Sequence, residues 1–171
     1  MKSVDQSSVL NHFVSQYRAS LAMLRTAIEV CPESLWFAAD CKNRYWHVAY
    51  HTIFFTHLYV QASEAEFRNW HKHQQDSEFL GPRPWAPNEA IVIERPYSRE
   101  EVLEYHDFCC AEVNSKVPAF DLEKESGFSW LPMNKTELHL YNIRHIQHHT
   151  GQLVDRLRIR ADIAVTWVGI G

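Results

Sequence analysis

Residues 142–158, NIRHIQHHTGQLVDRLR, carry the pattern that decides the predicted fold. His145 and His149 are four residues apart, a spacing that places both side chains on one face of an α-helix, about 6 Å apart along its axis. Leu138 and Leu153 continue along the same side, so the pair is predicted to point into the protein rather than to water. Two imidazoles placed in this way can bind one metal ion.

The residues between and just after these histidines narrow the possible site types. In HExxH metalloproteases a Glu follows the first His as general base, whereas Ile146 stands there in this chain, which disfavours a protease. His148 leaves an alternative pairing open, because positions three apart also share a helical face. Gly151 lies inside the predicted helix, where Gly costs about 1 kcal/mol relative to Ala. We therefore expect a packing reason for it, such as the close approach of a neighbouring helix.

The overall composition is that of an ordinary globular domain. Of the 171 residues, 46% are hydrophobic and 22% are charged, which predicts a single domain over residues 1–171 with a real core. The five Gly are too few for a chain of tight β-hairpins or for a Gly-rich phosphate loop. The formal net charge is −4 and no long Lys/Arg tract is present, so we do not expect nucleic-acid binding.

The N-terminus and the cysteines indicate a compartment. The first residues, MKSVDQSSVLNHF, contain no apolar signal-peptide core, and no run of about 18 apolar residues predicts a membrane span. The four Cys form no CxxC pair, and adjacent cysteines such as Cys109 and Cys110 rarely bridge each other. We therefore expect reduced thiols in a cytoplasmic protein that makes no contact with a membrane.

Helical periodicity recurs along the chain and predicts an all-α fold. Three of the helical segments begin with N-capping patterns, namely Ser3 to Gln6, Ser98 to Glu101, and Asn134 with Glu137. No strand pattern competes with them, so the sequence predicts a four-helix bundle. Because a long loop joins the second and third helices, these two need not be antiparallel neighbours. The four segments are about residues 4–30, 44–62, 99–116 and 134–160.

The connections are less regular than the helices. Residues 63–97 are predicted to hold either a short polar helix over 64–75 or an extension of the second helix, followed by a long ordered loop. The breakers of GPRPWAP exclude a helix interior there, and Trp85 is expected to pin the loop, which could serve as a lid. A turn of helix is possible over 34–37. The apolar tail after residue 160 is expected to pack along the bundle or in a dimer interface.

A third metal ligand must come from another helix, and His51 is the best candidate. It lies on a buried-looking stripe of the second helix, which is apolar nearly all round. Three His with open positions are typical of a catalytic rather than a structural site. Imidazoles suit Zn, Ni, Fe or Cu, and the spacing does not choose among them. The competing interpretation is that these are core histidines without a metal, the more frequent outcome for an isolated HxxxH.

Together the segments WHVAYHTIFFTHLYV (46–60) and RHIQHHTGQLVDRLR (144–158) resemble the DinB-like superfamily. Its marks are a His in the second helix and H-x-x-x-H-x-G-Q-L in the last one, and the resemblance covers roughly residues 5–160 apart from 63–97. It implies a four-helix bundle with one divalent metal, Zn or Ni first, on His51, His145 and His149. Gln152 takes the family's Gln position, where it would support the ligands or take part in helix packing.

The resemblance also implies a range of activities. Similar proteins include S-transferases that use a low-molecular-weight thiol, thiol-dependent isomerases and metal-dependent hydrolases. In this chain an apolar pocket for a small electrophilic substrate could be walled by Trp46, Phe54, Trp85 and Trp130. The alternative is a non-catalytic metal-binding or interaction module, and a homodimer is expected in either case. A bundle with vestigial histidines and no metal is the third interpretation.

The remaining candidates each have a competing structural interpretation. His47 could line the same cavity as His51, and His148 could support the ligands or face solvent. On the third helix, His106 with Glu104 or Asp107 could add a fourth ligand or a base.

Two further pairs are expected to have no chemical role. His71 and His73 lie in a polar stretch and are predicted to be solvated. Cys109 and Cys110 lie in the middle of the third helix, where one of them is predicted to be a small buried apolar residue.

Overall fold

The computed structural model describes residues 5–171, and within this range the chain forms helices and no β-strand. The prediction of an all-α fold is therefore confirmed. The turn of helix predicted over 34–37 forms as a one-turn helix, Glu33–Trp36. The helices are α1 (Gln6–Glu29), α2 (Glu33–Trp36), α3 (Tyr45–Tyr59), α4 (Arg99–Lys116) and α5 (Lys135–Ala161), with short 3₁₀ turns at Glu64–Glu66 and Val117–Ala119.

Two of the predicted caps form as expected. Ser98 Oγ accepts from the Glu101 amide at 3.2 Å while Glu101 Oε2 accepts from the Ser98 amide at 2.9 Å, a reciprocal capping box that starts α4. Asn134 Oδ1 accepts from the Glu137 amide at 3.0 Å and starts α5. The bounds of α4 and α5 accordingly agree with the predicted segments to within a residue.

α1 begins at a different cap. Part of the predicted box, Ser3, lies outside the described residues. Within the described chain Asp5 is the N-cap, because its Oδ1 accepts from the Ser7 amide at 3.1 Å.

α3 and α5 are antiparallel neighbours, and this pairing positions the candidate site. Asn142 Nδ2 donates to the carbonyl of Thr56 at 3.2 Å, and Arg156 Nη1 donates to the carbonyl of Asn43 at 2.8 Å. Because the later residue of α3 meets the earlier residue of α5, the two helices run in opposite directions. Since α3 is buried on nearly every side, a His on its α5-facing side must lie inside the helix pair.

α1 completes the packing from the other side, parallel to α5 and antiparallel to α4. Contacts along both helix pairs establish these directions. The pairs are Tyr17 with His139, Met23 with Gln147, Arg18 with Asn114 and Arg25 with Asp107.

α3 and α4 are parallel neighbours, which explains why a long connection is needed between them. The ring of Tyr50 packs at a tilt on that of Tyr105. Further toward the C-terminal ends of the two helices, the side chain of Gln61 donates a hydrogen bond to Glu112. The chain must return along the length of α3, about 22 Å for fifteen residues at 1.5 Å each. The segment 60–98 makes this return, and it therefore passes directly beside the helix that carries His51.

This segment is ordered by buried aromatics rather than by helix. Both alternatives predicted for 64–75, a short polar helix and an extension of the second helix, are wrong, since α3 ends at Tyr59 and only Glu64–Glu66 form a 3₁₀ turn. The expectation that Trp85 pins the loop is also wrong, because its side chain is 73% exposed. Trp70 and Tyr97 take that role: both are buried, and Trp70 stacks on Tyr105 with ring centroids 4.7 Å apart.

Gly151 has no packing role in the structure. It is exposed, and a Cβ built on it would meet no described atom within 4 Å. The predicted close approach of a neighbouring helix is therefore wrong.

The tail packs along the bundle, one of its two predicted positions. Ile163 and Val165 lie against the core. Further on, the carbonyl of Gly169 accepts from Gln16 of α1 at 3.3 Å. Trp167 and Ile170 of the tail are exposed. None of the helices in the described range is both long and apolar enough to cross a membrane.

Candidate metal centre

Three imidazoles meet at the α3–α5 interface. His51 comes from α3, and His145 and His149 come from successive turns of α5. One nitrogen from each ring lies within 4.8 Å of the other two, and His51 Nε2 is 3.1 Å from His145 Nε2. Two ligands bound to one Zn²⁺ at about 2.0–2.1 Å in tetrahedral geometry are roughly 3.3 Å apart. The three predicted ligands are thus brought together, and the separation of His51 Nε2 and His145 Nε2 is close to that of two ligands of one ion.

Hydrogen bonds orient two of these rings. His51 Nδ1 donates to the backbone carbonyl of Glu78 at 2.5 Å, and His149 Nδ1 donates to Gln152 Oε1 at 2.9 Å. Each bond places the ring proton on Nδ1 and leaves the Nε2 lone pair free, the arrangement that metal-binding histidines commonly have. Gln152 therefore supports a candidate ligand, which is one of the two roles predicted for it.

His145 differs from the other two rings. Its Nδ1 is buried and has no hydrogen-bond partner within the described chain. Its Nε2 faces that of His51 at 3.1 Å. The donor set of three imidazole nitrogens fits a divalent transition metal.

Burial keeps the cluster neutral. It lowers the pKa of His51 and of His145 to about 3, and the imidazoles of His148 and His149 lower both values further. The pKa of His149 is also lowered by burial, against the opposing effect of its hydrogen bond to Gln152. All three rings are therefore uncharged at neutral pH, which is the form that binds a metal.

An aromatic cavity of about 570 Å³ adjoins the cluster. Phe55 belongs to both: its ring lies 4.8 Å from that of His51 and 5.6 Å from that of His145, and it lines the cavity. Glu78, which holds His51, lines the cavity too. The aromatic rings around it are Phe54, Phe55, Phe67, Phe79, Trp85 and Trp130.

Three of the four predicted wall residues, Phe54, Trp85 and Trp130, thus line this cavity. Trp46 does not line it, because it faces a separate cavity together with His47. His47 accordingly lies beside a different space from the one predicted. Its Nε2 is buried and lacks a hydrogen-bond partner among the described residues.

The histidine of α4 is not brought to the site. His106 Nε2 donates to the carbonyl of Leu21 at 2.9 Å, between α4 and α1. Glu104 pairs with Lys72, and Asp107 pairs with Arg25. The hypothesis of a fourth ligand or a base from this helix is therefore wrong.

His148 and the cysteines take structural roles. His148 is exposed and accepts from Gln152 Nε2 at 3.3 Å. Cys109 is fully buried, as predicted for one of the pair, while Cys110 is partly exposed, and the described chain contains no disulfide.

Sequence reasoning missed Glu78 and misplaced His73. His71 is exposed, but the predicted solvation of His73 is wrong, since its side chain is 11% exposed and its Nδ1 is hydrogen-bonded to the Tyr50 hydroxyl at 2.7 Å. Its Nε2 lies 3.7 Å from Glu78 Oε2. Burial lowers the pKa of His73 and raises that of Glu78. No pattern marks Glu78 in the sequence, because it lies in an irregular segment and reaches the site only through the return path of the chain.

Comparison with family models, with curated proteins and with solved structures found no match for this chain.

Proposed function

We propose that this protein is a metal-dependent enzyme of the thiol S-transferase or hydrolase type, built as a DinB-like four-helix bundle. The observation that carries the proposal is the convergence of three neutral imidazoles at the α3–α5 interface. In this proposal His51, His145 and His149 hold one divalent transition metal, with Zn²⁺ and Ni²⁺ as the first expectations. The four free thiols support a cytoplasmic location.

A divalent metal on three neutral ligands keeps its full charge and an open position, and it would lower the pKa of a coordinated water or thiol to near neutrality. The protein's own residues do the remaining work. Glu78 and Gln152 hold two of the rings in the binding orientation. Phe55 covers one side of the cluster with an apolar ring, which limits the access of water from that side.

The neighbouring cavity supports an enzyme rather than a purely structural metal site. A structural zinc site is closed by four protein ligands, whereas here three donors lie together and a cavity of substrate size begins at Phe55. We propose that this cavity binds a small molecule, alone or together with a low-molecular-weight thiol. The net charge of −4 gives no support to nucleic acid as a partner.

The first test is elemental analysis of the protein purified without a His tag. We expect about one equivalent of Zn, Ni or another transition metal in the wild type, and none in His51→Ala or in His145→Ala/His149→Ala. His148→Ala is the matched control, because His148 lies on the same helix but is exposed. A wild type that takes up no metal, even after incubation with Zn²⁺ and Ni²⁺, would leave these histidines as core residues.

The second test separates an enzyme from a metal-binding module. Thiol conjugation of a panel of electrophiles is measured for the wild type and for His51→Ala. We expect turnover in the metal-loaded wild type alone. Equal rates in both proteins contradict the enzyme.

One observation favours a homodimer, the assembly expected for the enzyme and for a non-catalytic module alike. Trp167 and Ile170 of the tail, and Ile159 near the end of α5, are each at least 70% exposed, and such side chains are often covered in an assembly. Sedimentation velocity of the wild type beside Trp167→Ser/Ile170→Ser tests this interface. A dimer that dissociates in the double variant supports a homodimer through the tail.

A further inference from the structure

We infer that the aromatic cavity beside the candidate metal centre binds an organic cation, a molecule with a flat apolar body and a protonated amine. The inference deepens the proposed function, on which it rests for any reaction that follows binding. The cavity has the size typical of a small-molecule site, which is about 300–1,000 Å³.

The walls fit an apolar body. Phe54 and Phe67 meet edge to face with ring centroids 5.3 Å apart on one side, and Phe79 and Trp85 meet in the same way at 5.5 Å on another. Trp85 and Trp130 are 73% and 48% exposed, so much of their apolar surface remains uncovered at the cavity. A flat ring placed between them would remove this surface from water and stack on it.

The charges around the cavity select the sign of the ligand. The ionisable groups among the described lining residues are Glu64 and Glu78, and no Lys, Arg or His of the described chain is among them. An anion would meet two carboxylates and no cationic side chain in the lining, and none of the three candidate metal ligands is among the lining residues. A cation would meet these carboxylates and the faces of indole rings, the aromatic side chains that attract cations best.

Glu78 is the side chain that we expect to bind the cation. Its side chain is 16% exposed, and its Oε2 is buried with no hydrogen-bond partner in the described part of the chain. The imidazole of His73, 3.7 Å away, does not neutralise it, because burial holds His73 in the uncharged form. A buried carboxylate without a cationic partner is costly, and an ammonium group in the cavity would supply that partner.

Nearby basic side chains are already engaged elsewhere. Arg83 pairs with Asp76 and Glu89, and Lys72 pairs with Glu104. A bound amine would therefore be the cation of Glu78.

The test is calorimetric titration with three probes that share one body: 4-phenylbutylamine, 4-phenylbutanol and 4-phenylbutyrate. We expect the amine to bind at least about tenfold more tightly than the alcohol, and the carboxylate to bind most weakly, since tenfold corresponds to one charge-assisted contact. Glu78→Gln should remove the preference for the amine and leave the affinity for the alcohol unchanged. This variant keeps the backbone carbonyl that holds His51.

Two further variants keep the inference falsifiable. Trp85→Ala should weaken the binding of amine and alcohol alike, whereas Trp167→Ala, which removes an exposed indole from the tail, should change neither. Equal affinities for the amine and the alcohol, or no binding of any probe, would overturn the inference.

The titrations are made on metal-loaded and metal-stripped protein, with metal content measured separately. Binding of the amine by a protein that takes up no metal removes the proposed enzyme but keeps the cation site. Uptake of metal without binding of the amine removes only the cation site.

Discussion

Two groups of histidines lie in the same helices and differ in what their nitrogens meet. His57 of α3 and His139 of α5 are each at most 2% exposed, and each bonds to a tyrosine hydroxyl, that of Tyr105 at 3.0 Å and that of Tyr17 at 3.1 Å. His51, His145 and His149 are no more deeply buried, yet their nitrogens converge on one another. Burial on an apolar helix face is therefore not what distinguishes a candidate ligand from a core histidine.

The decisive difference is what the second ring nitrogen meets, because Nδ1 makes the hydrogen bond in His57, His139, His51 and His149 alike. In the core group a hydroxyl occupies the nitrogen that faces another helix, so the ring serves as a buried hydrogen-bond partner. In the cluster, Glu78 and Gln152 accept hydrogen bonds from Nδ1 of His51 and of His149, the nitrogens that point away from the other imidazoles. The Nε2 atoms of these two rings remain available to a shared ion.

The strongest test of this comparison is to replace one histidine in each group. His51→Ala should weaken metal binding by more than about 100-fold, because even the loss of an outer hydrogen-bond partner commonly costs 10–100-fold. His139→Gln should keep one equivalent at nearly unchanged affinity. Competition with a chromophoric chelator measures both, and similar losses in the two variants would mean that the groups do not differ in function.

The core group should contribute to the pH dependence of stability, as should His51 and His145, whose pKa values burial lowers to about 3. Burial lowers the pKa of His57 and of His139 to about 4, below the value of about 6.5 in an unfolded chain. The unfolded state then binds more protons, so stability is full above pH 6.5 and is lost as the pH falls toward 4. Between pH 7 and pH 5 each residue should cost about 2 kcal/mol in the free energy of unfolding.

Urea unfolding of the metal-free protein at several pH values measures this loss. His139→Gln should make the profile less steep than that of the wild type, because one of the buried histidines with a lowered pKa no longer titrates. A variant profile as steep as that of the wild type contradicts the assignment to His139.

Removal of the hydrogen bond that orients His149 should weaken metal binding less than removal of a metal-binding histidine. Gln152→Ala removes the acceptor for His149 Nδ1 and should weaken metal binding by about tenfold. Gln152→Glu retains an acceptor at the same place and should stay near wild type. If Gln152→Ala binds metal as well as the wild type does, the hydrogen bond has no part in orienting the ring.

Gly151 gives the smallest expected effect. It lies in the interior of α5 with φ in the ordinary range and with open space around its Cβ position, so Gly151→Ala should stabilise the protein by up to about 1 kcal/mol. Thermal unfolding measures the gain, and metal content should not change. A loss of stability would indicate that a partner molecule approaches this part of the helix.

Local patterns were sufficient for the parts of the fold in which neighbours in sequence are neighbours in space. The capping box of Ser98 and Glu101 and the periodicity of residues 134–160 predicted α4 and α5 closely. The His145–His149 pair was predictable for the same reason, because one helical turn sets its geometry. Assigning His51 to the same cluster needed the resemblance to a family in addition to the apolar stripe of α3.

Contacts across the segment 60–98 were not predictable in this way. Trp85 carries the strongest local signal there but is exposed, while the buried anchors are Trp70 and Tyr97. Glu78 reaches the cluster only because α3 and α4 are parallel and the chain must return past His51. An irregular segment has no periodicity to indicate which of its residues face the protein.

The amino-acid sequence by itself determined the helices, their caps and the placement of two imidazoles one turn apart, since these depend on backbone geometry and on residues within a few positions of each other. Only the tertiary structure decided the third imidazole's distance, the hydrogen bonds that orient the rings and the aromatic cavity with its two carboxylates. Those features join residues tens of positions apart, and the direction in which each helix packs on the next determines whether they meet.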